Sequence, residues 1–212
     1  MSAVRVVLIG GTSNTGKSTV ARLVADRLGF ELVATDRLAR HPGRPWPQPD
    51  WIPPPHVAEH YRTLSLDELI AAMLEHHRRL RPRIAELITG AASRTSAGPA
   101  RSSVDRPGLV LEGSALWPAD IAALDVAGTA AVWLGASEEV LTARMHAASG
   151  YHRLPADDRL PIDGFLARSL RHQTMLLDSV SRLGSEHLDT GDGRPPEALA
   201  ETVLAAVAPH PS

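Results

Sequence analysis

Gly10-Gly11-Thr12-Ser13-Asn14-Thr15-Gly16-Lys17-Ser18-Thr19 decides how the rest of the chain is read. From Gly11 it follows the pattern G-x-x-x-x-G-K-S/T, a phosphate-binding loop. Gly11 and Gly16 permit backbone angles that a Cβ would obstruct, so successive N–H groups can turn inward around a phosphate. Lys17 supplies a compact cation for the β- and γ-phosphates, and the Ser18 hydroxyl is a ligand for Mg²⁺. The flanks agree with the motif. Val4-Arg5-Val6-Val7-Leu8-Ile9 is a nearly unbroken apolar run, as a buried parallel strand requires. Thr19 to Gly29 carries apolar residues at helical spacing and ends on glycine, which predicts a helix whose N-terminus points at the phosphates.

Composition supports the same site. Lys17 is the only lysine and Asn14 the only asparagine in 212 residues, and both lie inside this loop. Arginine is a poor substitute there, because its planar fork does not fit a site built around a point charge.

The remaining composition sets bounds. The chain is 43% hydrophobic, enough for a sizeable core in one domain spanning residues 1–212. A net charge of −2 gives no support to a polyanion binder, so no nucleic-acid partner is expected. Cysteine is absent, which removes disulfide and thiol chemistry. No apolar segment reaches spanning length, and the expected location is cytoplasmic with no membrane partner.

Further along, Phe30 to Ala34 predicts a second strand, after which Thr35-Asp36-Arg37 sets Asp36 at the carboxyl edge of the sheet, where open α/β folds bind ligands. Asp36 is also placed to cap a helical turn. Arg37, Arg40 and Arg44 follow at spacings of three and four, which would share a face if the turn is helical and would suit an anionic ligand. Residues 41–55 are rich in proline and carry Trp46 and Trp51, an irregular excursion whose tryptophans pack against the body or a substrate, core packing being favoured. Ser65-Leu66-Asp67-Glu68 is a capping signature that opens a helix, with a break expected at Pro82 and a second helix from Arg83 to Ala92. The cluster His76, His77, Arg78, Arg79, Arg81 and Arg83 predicts a solvated helix face. Residues 93–107 lack periodicity and are expected to form a flexible loop, so that 41–107 makes an excursion on the acceptor side.

Leu109-Val110-Leu111-Glu112-Gly113 predicts a third buried strand that ends in an acid, the position at which such folds orient Mg²⁺ or the nucleophile. Pro118 suits the start of a short helix. A fourth strand is expected over 129–135, then a helix capped by Ser137. Residues 149–160 are polar and irregular, a lid candidate. A long helix from about Ile162 to Leu183, a fifth strand over 186–190 and a closing helix complete the chain. Strands alternating with helices imply a parallel sheet with right-handed crossovers.

This order of elements resembles the P-loop small-molecule kinases, the relatives of adenylate, shikimate and gluconate kinases and chloramphenicol phosphotransferase. Leu8-Ile9-Gly10-Gly11 together with Leu111-Glu112-Gly113-Ser114 is also similar to 2-phosphoglycerate kinase-like proteins. The resemblance implies an α/β fold with five parallel strands in order 2-3-1-4-5 and a lid segment. It implies transfer of the γ-phosphoryl group of ATP, with Mg²⁺, to a small-molecule acceptor. Gly11, Thr12, Ser13, Asn14, Thr15, Gly16, Lys17, Ser18 and Thr19 would hold the nucleotide, together with Arg144. Ser18 and Glu112 would hold the metal. Asp36 or Glu112 would serve as base, beside Lys17. Arg144, Arg153 and Arg159 fall where lid arginines occur in that group, with Arg153 the expected catalytic one. Arg168 and Arg171 match arginines of the following helix, on the substrate side. The turn after the third strand departs from shikimate kinase, and the excursion between strands two and three is longer, so shikimate is not the expected acceptor. A nucleoside monophosphate kinase, a nucleotide-sugar kinase and a regulatory ATPase are the alternatives. The expected assembly is a monomer or a homodimer.

Overall fold

The computed structural model describes residues 4–48, 51–94 and 108–208. Five parallel strands run in the order β2-β3-β1-β4-β5. They are β1 (Val6–Gly11), β2 (Glu31–Ala34), β3 (Leu109–Gly113), β4 (Thr129–Gly135) and β5 (His187–Asp189). All six residues of β1 and all five of β3 are buried, which is why their sequences run apolar without alternation. Alternation survives in which face each side chain serves. Val6 and Leu8 join one core with Leu109 and Leu111, while Val7, Ile9 and Val110 join another on the opposite face.

Helices α1 (Lys17–Leu28) and α7 (Pro196–Val207) cover the second face through Val20, Val24, Leu199 and Val203. The first face is covered by α3 (Leu66–Ala92) and α6 (Ala156–Arg182) through Leu80, Ile84, Ile88, Leu176 and Val180. Shorter helices α2 (Pro55–Thr63), α4 (Pro118–Leu124) and α5 (Glu138–Ser149) complete the layers. A third apolar cluster joins the proline-rich segment to the body through Trp46, Tyr61, Leu69, Met145, Ile162 and Phe165. Trp46 is buried there, edge-on to Phe165 at 5.1 Å, the core role favoured for it.

Several boundaries follow the local signals. Gly29 closes α1 in the left-handed conformation, and Ser65 with Glu68 forms a reciprocal capping box on α3. Ser137 caps α5 and Pro118 begins α4. Helix α2 has no counterpart in the sequence expectations, although Pro55 at its first turn and Val57 and Tyr61 four apart are its signals.

Two prolines mislead. Helix α3 runs through Pro82 without a break. The ring removes one N–H, and the carbonyl left over, that of Arg78, lies on an exposed stretch where water can satisfy it. Helix α6 likewise starts at Ala156 and passes through Pro161, which is buried. Here the orphaned carbonyl is that of Asp157, and Arg62 of α2 donates to it at 3.4 Å. Residues 149–160 are therefore not irregular throughout. They hold a 3₁₀ turn, Tyr151–Arg153, and the first turn of α6. Of the loop expected over 93–107, residues 95–107 lie outside the described residues.

Because Pro82 is exposed and its ring serves no packing role, Pro82→Ala should stabilise the protein. The helix-interior cost of proline sets the size at about 1–3 kcal/mol. Denaturant unfolding should show a raised midpoint with an unchanged slope; a lowered midpoint would show that the ring supports α3.

Candidate active site

Strand β1 delivers the phosphate loop to the centre of the sheet edge. Gly11 sits at φ +149°, and a Cβ there would lie 2.5 Å from the carbonyl oxygen of Leu134 on β4. The loop is held from within: the Thr15 hydroxyl donates to the Thr12 carbonyl at 3.0 Å, and Lys17 Nζ donates to the same oxygen at 2.6 Å. Lys17 is only 9% exposed. Burial pushes its pKa down, while the carboxylates of Glu112 and Asp36 oppose that shift. Arg144 donates to the Asn14 carbonyl at 3.3 Å and to the hydroxyl and carbonyl of Thr190, fixing the loop to the segment after β5.

Strand β3 ends beside the loop. Ser18 Oγ donates to Glu112 Oε1 at 3.0 Å, bringing the two expected metal ligands together. Burial raises the Glu112 carboxyl, and the charge of Lys17 holds it down. Gly113 explains itself by close approach, since a Cβ would meet the Thr35 hydroxyl at 1.7 Å. That contact brings the end of β2, and with it Asp36, against the end of β3.

The buried ammonium of Lys17, the Ser18–Glu112 pair and a loop that opens helix α1 fit a nucleotide triphosphate with Mg²⁺ in chemistry and charge.

From this edge opens a cleft of about 810 Å³. Thr12, Ser13, Lys17, Ser18, Asp36, Arg37, Glu112, Arg44 and Arg168 all line it. Arg40, Arg144, Arg153 and Arg171 do not. Arg40, Arg153 and Arg171 are exposed. The helical turn after β2 spans only Thr35–Arg37, so Arg37, Arg40 and Arg44 do not share a helical face. Arg159 is engaged locally, donating to the carbonyls of Leu154 and His152 and lying over the Tyr151 ring.

Part of the cleft lining is cationic and aromatic. Arg168 donates to the Tyr61 hydroxyl at 2.6 Å and lies 4.5 Å from the centre of the Phe165 ring. Among the described residues, no carboxylate forms an ion pair with Arg44 or Arg168. Five histidines also line the cleft: His41, His60, His76, His77 and His172. They escaped the sequence reading, which set His76 and His77 on a solvated face. Arg78, Arg79 and Arg83 do occupy such a face, paired with Glu75 and Glu86. His77 instead falls in the buried stripe Leu69, His77, Leu80, Ile84, Ile88 and Ala91. That spacing was the available signal.

No family model and no curated protein matches the chain. Solved structures do. A gluconokinase from Sinorhizobium meliloti 1021 aligns over 98% of this chain and 93% of its own, with a TM-score of 0.57 and 21% identity. A sugar kinase from Janibacter sp. HTCC2649 aligns over 98% and 99%, with a TM-score of 0.54 and 22% identity. The strand order and these neighbours show that the chain has the fold of the P-loop small-molecule kinases.

Burial lowers the pKa of His77 from 6.5 to about 4, with the neighbouring His76 and Arg168 adding to the shift. The folded pKa lies below the unfolded one, so the stability tied to neutral His77 is complete above 6.5. It is lost as pH falls from about 6.5 toward about 4. The slope is at most about 1.4 kcal/mol per pH unit. Between pH 7 and pH 5, wild type should therefore lose about 1–2 kcal/mol more unfolding free energy than His77→Gln. Equal losses in denaturant titrations would show that His77 is not held neutral.

Proposed function

We propose that the protein is an ATP-dependent kinase that transfers the γ-phosphoryl group to a hydroxyl of a small anionic acceptor. The observation that carries this reading is the shape of one cleft. It gathers a phosphate loop with its buried lysine, the carboxylate of Asp36, and Arg44 and Arg168, which form no ion pair among the described residues. The names of the structural neighbours, a gluconokinase and a sugar kinase, point the same way.

Roles follow from placement. Lys17 balances charge on the transferring phosphoryl group, which is most of what such transfer requires. Ser18 and Glu112 would hold Mg²⁺, which would supply positive charge against the phosphates. Glu112 is occupied with Ser18 and Lys17, which leaves Asp36 as the base. Its carboxylate would take the acceptor's hydroxyl proton as the oxygen bonds to phosphorus and ADP departs. Arg37, Arg44 and Arg168 would hold the acceptor's anionic group. Arg144 would act on the nucleotide side by keeping the loop in place. Arg153 sits in the 3₁₀ turn of residues 149–160, the segment proposed to close over the nucleotide as a lid and so exclude water.

The reading is tested by measuring ADP formation across a panel of carboxylate, phosphate and neutral hydroxyl compounds. Anionic members alone should raise turnover above the ATP-only rate. A rate indifferent to every member would favour a regulatory ATPase, and a nucleoside monophosphate as the sole acceptor would shift the class. With an acceptor identified, Asp36→Asn should slow transfer by about 10²–10⁴-fold. ATP affinity should change little, because Asp36 does not touch the loop. Lys17→Ala should abolish turnover, and an unaltered rate would remove the lysine from the mechanism.

A further inference from the structure

Helix α6 has a buried stripe of Ile162, Phe165, Ser169, His172, Gln173, Leu176 and Val180, in which Ser169, His172 and Gln173 are the polar members. Polar groups on such a stripe need a reason: the Ser169 hydroxyl donates to the Phe165 carbonyl of its own helix, Gln173 bonds the Ala136 backbone, and His172 faces the loop residue Thr12. The Thr12 hydroxyl donates to the Ser169 carbonyl at 2.8 Å. His172 Nδ1 lies 3.3 Å from the same Thr12 oxygen. A hydroxyl has one proton. With that proton committed to Ser169, the ring nitrogen must be the donor, so His172 is the Nδ1–H tautomer.

The rest of the ring is fixed by packing. Trp117 stacks on it at 5.7 Å and 26°, and His77 meets it edge-on at 5.5 Å. Burial keeps the imidazole neutral. Its Nε2 is buried and unpartnered, so no bond on that side competes for the ring.

We propose that His172 is a positioning residue for the phosphate loop, fixing the Thr12 carbonyl that receives Lys17 by donating from Nδ1 to the Thr12 hydroxyl. The chain of contacts is short. His172 and Ser169 hold the Thr12 side chain, and the Thr12 carbonyl holds Lys17 Nζ and the Thr15 hydroxyl. Helix α6 also presents Arg168 to the cleft. One rigid element therefore sets both the loop and the acceptor-side cation.

This inference rests on Gly11 to Ser18 binding nucleotide, and not on the identity of any acceptor. Its test uses ADP·Mg²⁺ as the probe, by calorimetry on the full chain. Asparagine offers an amide N–H near the position of Nδ1, whereas glutamine places its amide near Nε2. His172→Asn should bind ADP·Mg²⁺ within about threefold of wild type, and His172→Gln should bind about tenfold more weakly, the size of one lost buried hydrogen bond. Thr12→Val should weaken binding to a similar degree, and Thr12→Val with His172→Gln should be no weaker than the worse single variant. Equal affinities for the Asn and Gln variants, or additive losses in the double variant, would reduce His172 to packing and overturn the proposal. A ¹⁵N spectrum of the wild-type imidazoles checks the tautomer without a variant. Protonation of His172 at Nδ1 is expected, and protonation at Nε2 would overturn the proposal. Absence of any acceptor would sink the kinase reading while leaving these results intact.

Discussion

A lysine ammonium withdrawn from water is the constraint around which the active edge is built. Leaving Lys17 buried and unpaired would cost several kcal/mol. The Thr12 carbonyl and the fields of Glu112 and Asp36 offset that cost. None of the three is near Lys17 by accident of side-chain reach. The sheet order places β2 beside β3 and β3 beside β1, so the ends of these strands arrive side by side. Gly113 lets the first two approach closely enough for Thr35 to fit between them.

The cleft has a division of labour that follows from this. Near the loop, opposite charges are interleaved and each holds the others close to neutral overall. By contrast, Arg44 and Arg168 rest on aromatic rings and a glutamine instead of pairing with carboxylates. A guanidinium on a ring face is partly desolvated yet keeps its donors free in the plane, which leaves it ready for a planar anion. His76, His77 and His172 add polarity without fixed charge, since burial lowers their pKa and favours the neutral ring.

The sequence was most legible where local chemistry and tertiary structure agree. The loop, the strand and helix flanking it and the caps at Gly29, Ser65 and Ser137 were all readable from short stretches. The break at Pro82 and the helix start at about Ile162 were misplaced because local propensity was outvoted, once by solvent and once by Arg62 reaching from another helix. A residue 95 positions away cannot be inferred from a proline's own neighbourhood. The cleft histidines were missed for a different reason. Their meaning lies in the stripe they share with leucine and isoleucine, and a cluster of adjacent arginines drew attention away from that spacing. Which arginines reach the cleft was not readable either, because it depends on where a 3₁₀ turn stops.

The position of β1 in the middle of the sheet has a consequence for how the molecule is made. Val6 pairs with Leu109 on one side and with Thr129 on the other. Strand β1 thus leaves the ribosome long before either of its neighbours exists to pair with it. About 120 residues must follow it before the second pairing can form, roughly 6–25 s of synthesis. During that interval Val6-Val7-Leu8-Ile9 is an apolar strand with two open edges, and loop-closure entropy opposes early pairing. Helix α1 offers the nascent chain a local partner for one face, through Val20 and Val24. Slowed translation or weakened packing between α1 and β1 would therefore act first on yield, by aggregation of the incomplete chain, before any change in the finished protein could be measured.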